Sequence, residues 1–87
     1  MRTIDVDCRN VKSPKAFQIL LQYALDFPEW YGRNLDALHD LLTEPIDRHV
    51  RLHIGNPEGE MAAYLERVIQ VFADSAEENR HFTWETI

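Results

Sequence analysis

Apolar and polar residues alternate at the start of the chain, in Thr3-Ile4-Asp5-Val6-Asp7-Cys8, the pattern of a β-strand with one face buried. Ser13-Pro14 then supplies a helix N-cap followed by proline at the first helical position. Phe17, Leu20, Leu21, Ala24 and Leu25 recur at helical spacing and predict an amphipathic helix over 14–25. Asp26-Phe27-Pro28 stops it, since the residue before a proline disfavours helical geometry. After Gly32, Asn34 is an N-cap for a shorter helix carrying Leu35, Leu38, Leu41 and Leu42, which Pro45 ends near Thr43 or Glu44. Val50, Leu52 and Ile54 alternate with Arg51 and His53 as a second half-buried strand. Asn56-Pro57-Glu58 opens a third helix, with Gly59 weakening its first turn. The stripe Met61, Leu65, Val68, Ile69 and Phe72 carries that helix to about Asn79. Residues 82–87 close the chain as a third strand.

The order strand, helix, helix, strand, helix, strand is an α/β pattern, and crossovers of this length favour parallel strands. All three strands alternate, so helices are expected to cover one sheet face more completely than the other. The 87 residues form one small domain, 1–87, with a modest core. A composition of 45% hydrophobic and 28% charged residues argues against disorder. No apolar run is long enough to span a membrane, and Met1-Arg2-Thr3-Ile4-Asp5 lacks the character of a signal peptide. The one cysteine, Cys8, has no internal disulfide partner and follows the alternation of Ile4 and Val6. It reads as a small core residue, and a reducing, cytoplasmic compartment is expected.

Charge changes this picture most in one quarter of the sequence. Residues 26–47 hold six acids and one base, Arg33, a net of −5 within a chain whose total is −6. A nucleic-acid binder needs a basic face, so direct nucleic-acid contact is disfavoured. A basic protein partner fits, because concentrated opposite charge speeds encounter; a solvated acidic face is the plainer reading. Phe27, Trp30 and Tyr31 lie in the same region, on a loop leading into the second helix, as plugs for a local core or as anchors for a partner. At about 100° per residue, Asp36 and Asp40 point opposite the leucine stripe, one turn apart on one exposed face. Their repulsion at about 6 Å is about 0.7 kcal/mol in water and about 3 kcal/mol at an effective dielectric of 20. The helix dipole favours Asp36, but Asp40 lies beyond the first turn, and no Lys or Arg stands at 32, 37, 39, 43 or 44. A partner bringing cations would relieve the pair.

Other chemistries fit less well. An acid/base pair of Asp36 and Asp40 has nothing to separate two exposed pKa values, so no enzyme activity is expected. His49 and His53 can share one strand face, yet no cysteine cluster or helical His-Glu motif supports a metal, and solvated histidines are expected there. Nothing calls for a cofactor.

The segments Pro28-Glu29, Tyr31-Gly32, Asn34-Leu35-Asp36-Ala37-Leu38 and Asp40 through Thr43 resemble the binding segment of the barstar family, intracellular inhibitors of barnase-type ribonucleases. Glu66-Arg67-Val68-Ile69-Gln70-Val71-Phe72 resembles that family's last helix. The resemblance implies a barstar-like fold, a three-stranded parallel sheet with helices mainly on one face. It implies a basic barnase-like ribonuclease as partner, no membrane, and a monomer when free. By the same resemblance Asp40 enters the enzyme's active site in place of a substrate phosphate, and Asp36 meets the same cations. Trp30 packs on an active-site histidine, and Gly32, Asn34, Leu35 and Ala37 line the contact. His39 and Thr43 complete the helix side, while Glu66 adds an ion pair at the edge. This chain departs from the family pattern at His39, where a tryptophan is usual, and at Arg33, where an acid is usual. Glu44-Pro45 replaces a Gly-Trp pair, and the connection before the last helix is shorter, so a small helix there is missing or fused. A barstar-fold adaptor for a non-nuclease protein is the alternative reading.

Overall fold

The computed structural model describes residues 2–87. Met1 lies outside the described residues. The elements follow the order β1 (Arg2–Asp7), α1 (Pro14–Ala24), α2 (Leu35–Leu42), β2 (Arg48–His53), α3 (Gly59–Glu78) and β3 (Phe82–Thr86). The three strands form a parallel sheet in the order β1-β2-β3. Arg2 pairs with Arg48 and Arg48 with Phe82, so β2 is the central strand. This is the α/β architecture expected from the alternation and the crossover lengths.

Strand alternation sorts the sheet into two unlike faces. Ile4, Val6, Val50, Leu52 and Phe82 point to one side and are buried, with Trp84 half-buried beside them. Phe17 and Leu21 of α1, Leu38, Leu41 and Leu42 of α2, and Met61, Leu65, Val68 and Phe72 of α3 fill the space above that face. Phe72 meets Phe82 and Trp84 edge-on, with ring centroids 5.4 and 5.9 Å apart. Cys8 is buried, as its place in the alternation implies; burial raises its thiol pKa, and its Sγ donates to the His53 carbonyl.

The opposite face carries Asp5, His49, Arg51, His53, Thr83 and Glu85 and has no buried residue. His49 bonds Thr83 Oγ1 and Glu85 Oε2, both at 2.7 Å, and His53 Nε2 lies 2.9 Å from Asp5 Oδ1. The histidines expected to be merely solvated are therefore tied to carboxylates on the two flanking strands, because parallel pairing puts those groups diagonally opposite. Among the described residues no cluster of three or more His, Cys, Asp or Glu could hold a metal ion.

The boundaries of five elements differ from those the sequence pattern predicts. Leu25 is the C-cap of α1, not its last residue. The first strand begins at Arg2 and the second at Arg48, with Cys8 and Ile54 just beyond their ends. The third helix begins at Gly59, because Glu58 is still extended and Gly59 turns the chain with φ +55°. Residues 54–58 link β2 to α3 without a helix of their own. Ile87 lies just past β3.

Candidate functional site

The candidate site is a loop and a short helix held against α1 and α3. The loop begins where α1 ends in a left-handed turn. Asp26 has φ +54°, the Phe27 amide donates to the Gln22 carbonyl and the Asp26 amide to the Tyr23 carbonyl. This is the Schellman pattern with aspartate in the place usually taken by glycine. It turns the chain back before Pro28 is reached.

The three aromatics then part company. Tyr31 is a plug, only 4% exposed, packed against a half-buried Phe27 with ring centroids 4.8 Å apart and the planes tilted by 54°. Trp30 is 74% exposed and points away from the core. The sequence left plug or anchor open for each ring; the fold uses two as plugs and leaves the third in solvent.

Two glutamines one turn apart on α1 position the loop. Gln18 is 1% exposed; its Oε1 accepts from the Tyr31 hydroxyl and its Nε2 donates to the Tyr64 hydroxyl on α3. Burial pushes the Tyr31 phenol pKa up, so the hydroxyl stays a donor. Gln22 Nε2 donates to the Pro28 carbonyl at 2.9 Å, and its Oε1 accepts from Arg33 Nε at 2.7 Å. A buried amide with both ends satisfied fixes geometry as well as contributing stability.

Gly32 sits where a Cβ would lie 3.1 Å from Asn34 Nδ2 and 3.3 Å from Ala37 Cβ, so a side chain there would make the capping asparagine or the helix start give by a few tenths of an ångström. Asn34 caps α2 as expected: its Oδ1 accepts from the Ala37 amide at 2.8 Å. Leu38, Leu41 and Leu42 are buried and Leu35 half-buried, which turns Asp36 and Asp40 outward into solvent. Among the described residues neither carboxylate is in an ion pair. Thr43 closes the helix, its hydroxyl donating to the carbonyls of His39 and Asp40 at 2.9 and 3.2 Å.

Contacts from α3 and its C-terminal end set the position of α2. His39 Nε2 lies 2.6 Å from Glu78 Oε2. Asn79, which is buried, donates through Nδ2 to the carbonyls of Leu42, Glu44 and Ile46 at 3.0, 2.9 and 3.3 Å. A carboxamide is one of the few side chains able to bridge several such orphaned carbonyls. Glu66 is exposed on α3, opposite the Leu65, Val68 and Phe72 stripe.

The fold thus gathers the predicted residues Trp30, Gly32, Asn34, Leu35, Asp36, Ala37, His39, Asp40 and Thr43 on one loop-helix unit, with Glu66 on α3. Sequence reasoning missed Gln18, Gln22 and Asn79. A polar residue on the buried side of a helix, as Gln18 is, is the one sign that was available.

Comparison with known proteins agrees with this geometry. The family model described as Barstar (barnase inhibitor) matches residues 1–85. A protein of Bacillus subtilis (strain 168) named "Putative ribonuclease inhibitor YrdF" is 37% identical over 81 residues, a match covering 90% of this chain and 89% of that protein. With a loop and acidic helix of this form, and a family match over nearly its whole length, the chain belongs to the barstar family.

Proposed function

We propose that this protein inhibits a barnase-like ribonuclease by placing the carboxylates of Asp40 and Asp36 among the cations of the enzyme's active site. The observation that carries the reading is the pair of solvent-facing, unpaired carboxylates on a rigidly capped helix, next to an exposed Trp30. A ribonuclease binds phosphates with Arg, Lys and His, and carboxylates at matching positions accept the same charge-assisted hydrogen bonds. Because Asn34, Asn79 and the two glutamines hold the helix and loop in place, little ordering entropy opposes binding. Trp30, Gly32, Asn34, Leu35, Ala37, His39 and Thr43 surround the acids, and Glu66 lies at the rim. The name carried by the Bacillus subtilis relative and the family's description as a barnase inhibitor support an inhibitory role. In this reading the protein is a binding protein and not an enzyme, an immunity-type antitoxin acting in the cytoplasm.

Calorimetric titration against a barnase-type ribonuclease, with a parallel RNA-cleavage assay and the Asp40→Ala variant, tests the proposal. Binding with loss of cleavage is expected, and Asp40→Ala is expected to weaken it by at least about 30-fold, as for a dominant interface residue. Tight binding unaffected by Asp40→Ala would move the site elsewhere. Absence of binding to any such ribonuclease would favour an adaptor for a different protein.

A further inference from the structure

A cleft of about 470 Å³ opens beside Asp36, where α1, the loop before α2, and α3 meet. Lys15 from α1, Arg33 from the loop and Arg67 from α3 line it together with Tyr64. Three cationic side chains thus share one cleft with a carboxylate, in a protein whose net charge is −6. Among the described residues none of the three is in an ion pair, although Arg9 and Arg51 each find a carboxylate elsewhere. Arg33, which also borders a neighbouring cleft with Gln22, donates through Nε to Gln22 Oε1 and keeps its two terminal nitrogens to donate. The Tyr64 hydroxyl accepts from Gln18, so its own proton remains for an acceptor outside that network.

The backbone gives a second, independent indication. Arg33 has φ +54°, a left-handed conformation in which a side chain is strained and glycine is not. Strain of this kind persists where a particular side chain is wanted in a particular direction.

We propose that this cleft receives an acidic side chain of the partner protein, with Arg33 and Arg67 as its main donors. The inference rests on the inhibitor reading and refines it. The contact face is then bipolar: Asp36 and Asp40 seek the partner's cations while Arg33, Arg67 and Lys15 seek a carboxylate beside them. A uniformly basic enzyme surface is disfavoured, and a ribonuclease with an Asp or Glu flanking its cationic site is selected. A single carboxylate suits the cleft better than a phosphate, because Asp36 lines the same space and repels a second negative charge.

Two measurements separate this inference from the reading beneath it. The first is an NMR titration at low ionic strength with a blocked triglutamate peptide, and with inorganic phosphate for comparison. Peptide-induced shifts at Lys15, Arg33, Tyr64 and Arg67 are expected, and Arg67→Glu and Arg33→Gly should each abolish them. Arg33→Gly relieves the left-handed strain but gives up the bond to Gln22, so a retained cooperative melting transition in both variants is the check that lost binding is not lost folding. No localised shifts, shifts surviving Arg67→Glu, or a stronger response to phosphate than to peptide would overturn the proposal. The second is affinity for a ribonuclease that binds the wild type: Arg67→Glu and Arg33→Gly should each weaken it about tenfold, as loss of a close charge pair does. Unchanged or tighter binding by both variants overturns the cleft, whereas absence of binding to any such ribonuclease sinks the inhibitor reading and leaves the peptide titration to decide the cleft.

Discussion

The Tyr31–Gln18–Tyr64 chain is the place to test whether the loop is held by polar contacts or by packing alone. Replacing Gln18 with Met keeps a similar length and volume but removes the acceptor of the Tyr31 hydroxyl and the donor to Tyr64. Tyr31 is 4% exposed, so its hydroxyl is left buried without a partner, at a cost of about 1–3 kcal/mol. Tyr64 is half-buried and recovers a water. Tyr31→Phe deletes the other partner and strands Gln18 Oε1, which is just as buried, at a similar cost of about 1–3 kcal/mol. The double variant leaves no orphan in the Tyr31–Gln18 pair and should cost little more than one single change. The cycle should therefore return a favourable coupling of about 1–2 kcal/mol. At about 4–8 °C per kcal/mol for a domain of this size, a loss of about 2 kcal/mol, the middle of that range, lowers the melting temperature by roughly 8–16 °C. Urea unfolding followed by tryptophan fluorescence and circular dichroism supplies the four free energies. Single losses that add in the double variant would show that the bond contributes nothing beyond packing, and the account of loop positioning given above would fall.

Three further outcomes follow from individual contacts. Asn79→Ala should lower stability by about 2–4 kcal/mol in the same unfolding assay, since three carbonyls at the end of α2 and the His81 amide lose their partner; a loss below about 1 kcal/mol would refute this. Ser75 carries the one buried side-chain oxygen without a hydrogen-bond partner among the described residues, so Ser75→Ala should be neutral or stabilising by up to about 1 kcal/mol. Asp7 is held well below the usual carboxylate range by the Arg9 side chain and amide, and Asp5 is lowered by His53. A carboxylate with a depressed folded-state pKa contributes stability above the ordinary value of 3.8 and loses it as pH falls toward the folded value. Urea midpoints measured below about pH 4 should therefore fall with acidity, and less steeply in Asp7→Asn.

How much of this was legible beforehand divides along a physical line. Periodicity reports which face of an element is apolar, and it located β1, α1, α2 and the stripe of α3 to within a few residues. It also placed Asp36 and Asp40 on one outward face, because that follows from helix geometry once the leucines are buried. Periodicity is silent about polar atoms that cross between elements. Gln22 and Asn79 look like ordinary surface residues in the sequence, and Gln18 differs only in lying beside the apolar stripe, yet the three fix the loop and both ends of the contact segment. The left-handed residues Asp26 and Arg33 were hidden for a related reason: neither is glycine, so nothing in the residue type announced the turn. Trp30 could be told from Tyr31 only after the fold had chosen which ring to cover.

The reach of Asn79 has a consequence for how the acidic helix is made. Its amide clasps carbonyls 33 to 37 positions earlier in the chain, and the strand between them, β2, is the centre of the sheet. During synthesis the helix leaves the ribosome well before its clasp and before β3, so the segment first exists as a loose, frayed stretch. A peptide copied from residues 27–43 would carry every acid of the loop-helix unit and remain in that state, since helices so short are marginal alone in water. The proposed contact surface is therefore a property of the finished chain and cannot be excised with the segment that displays it.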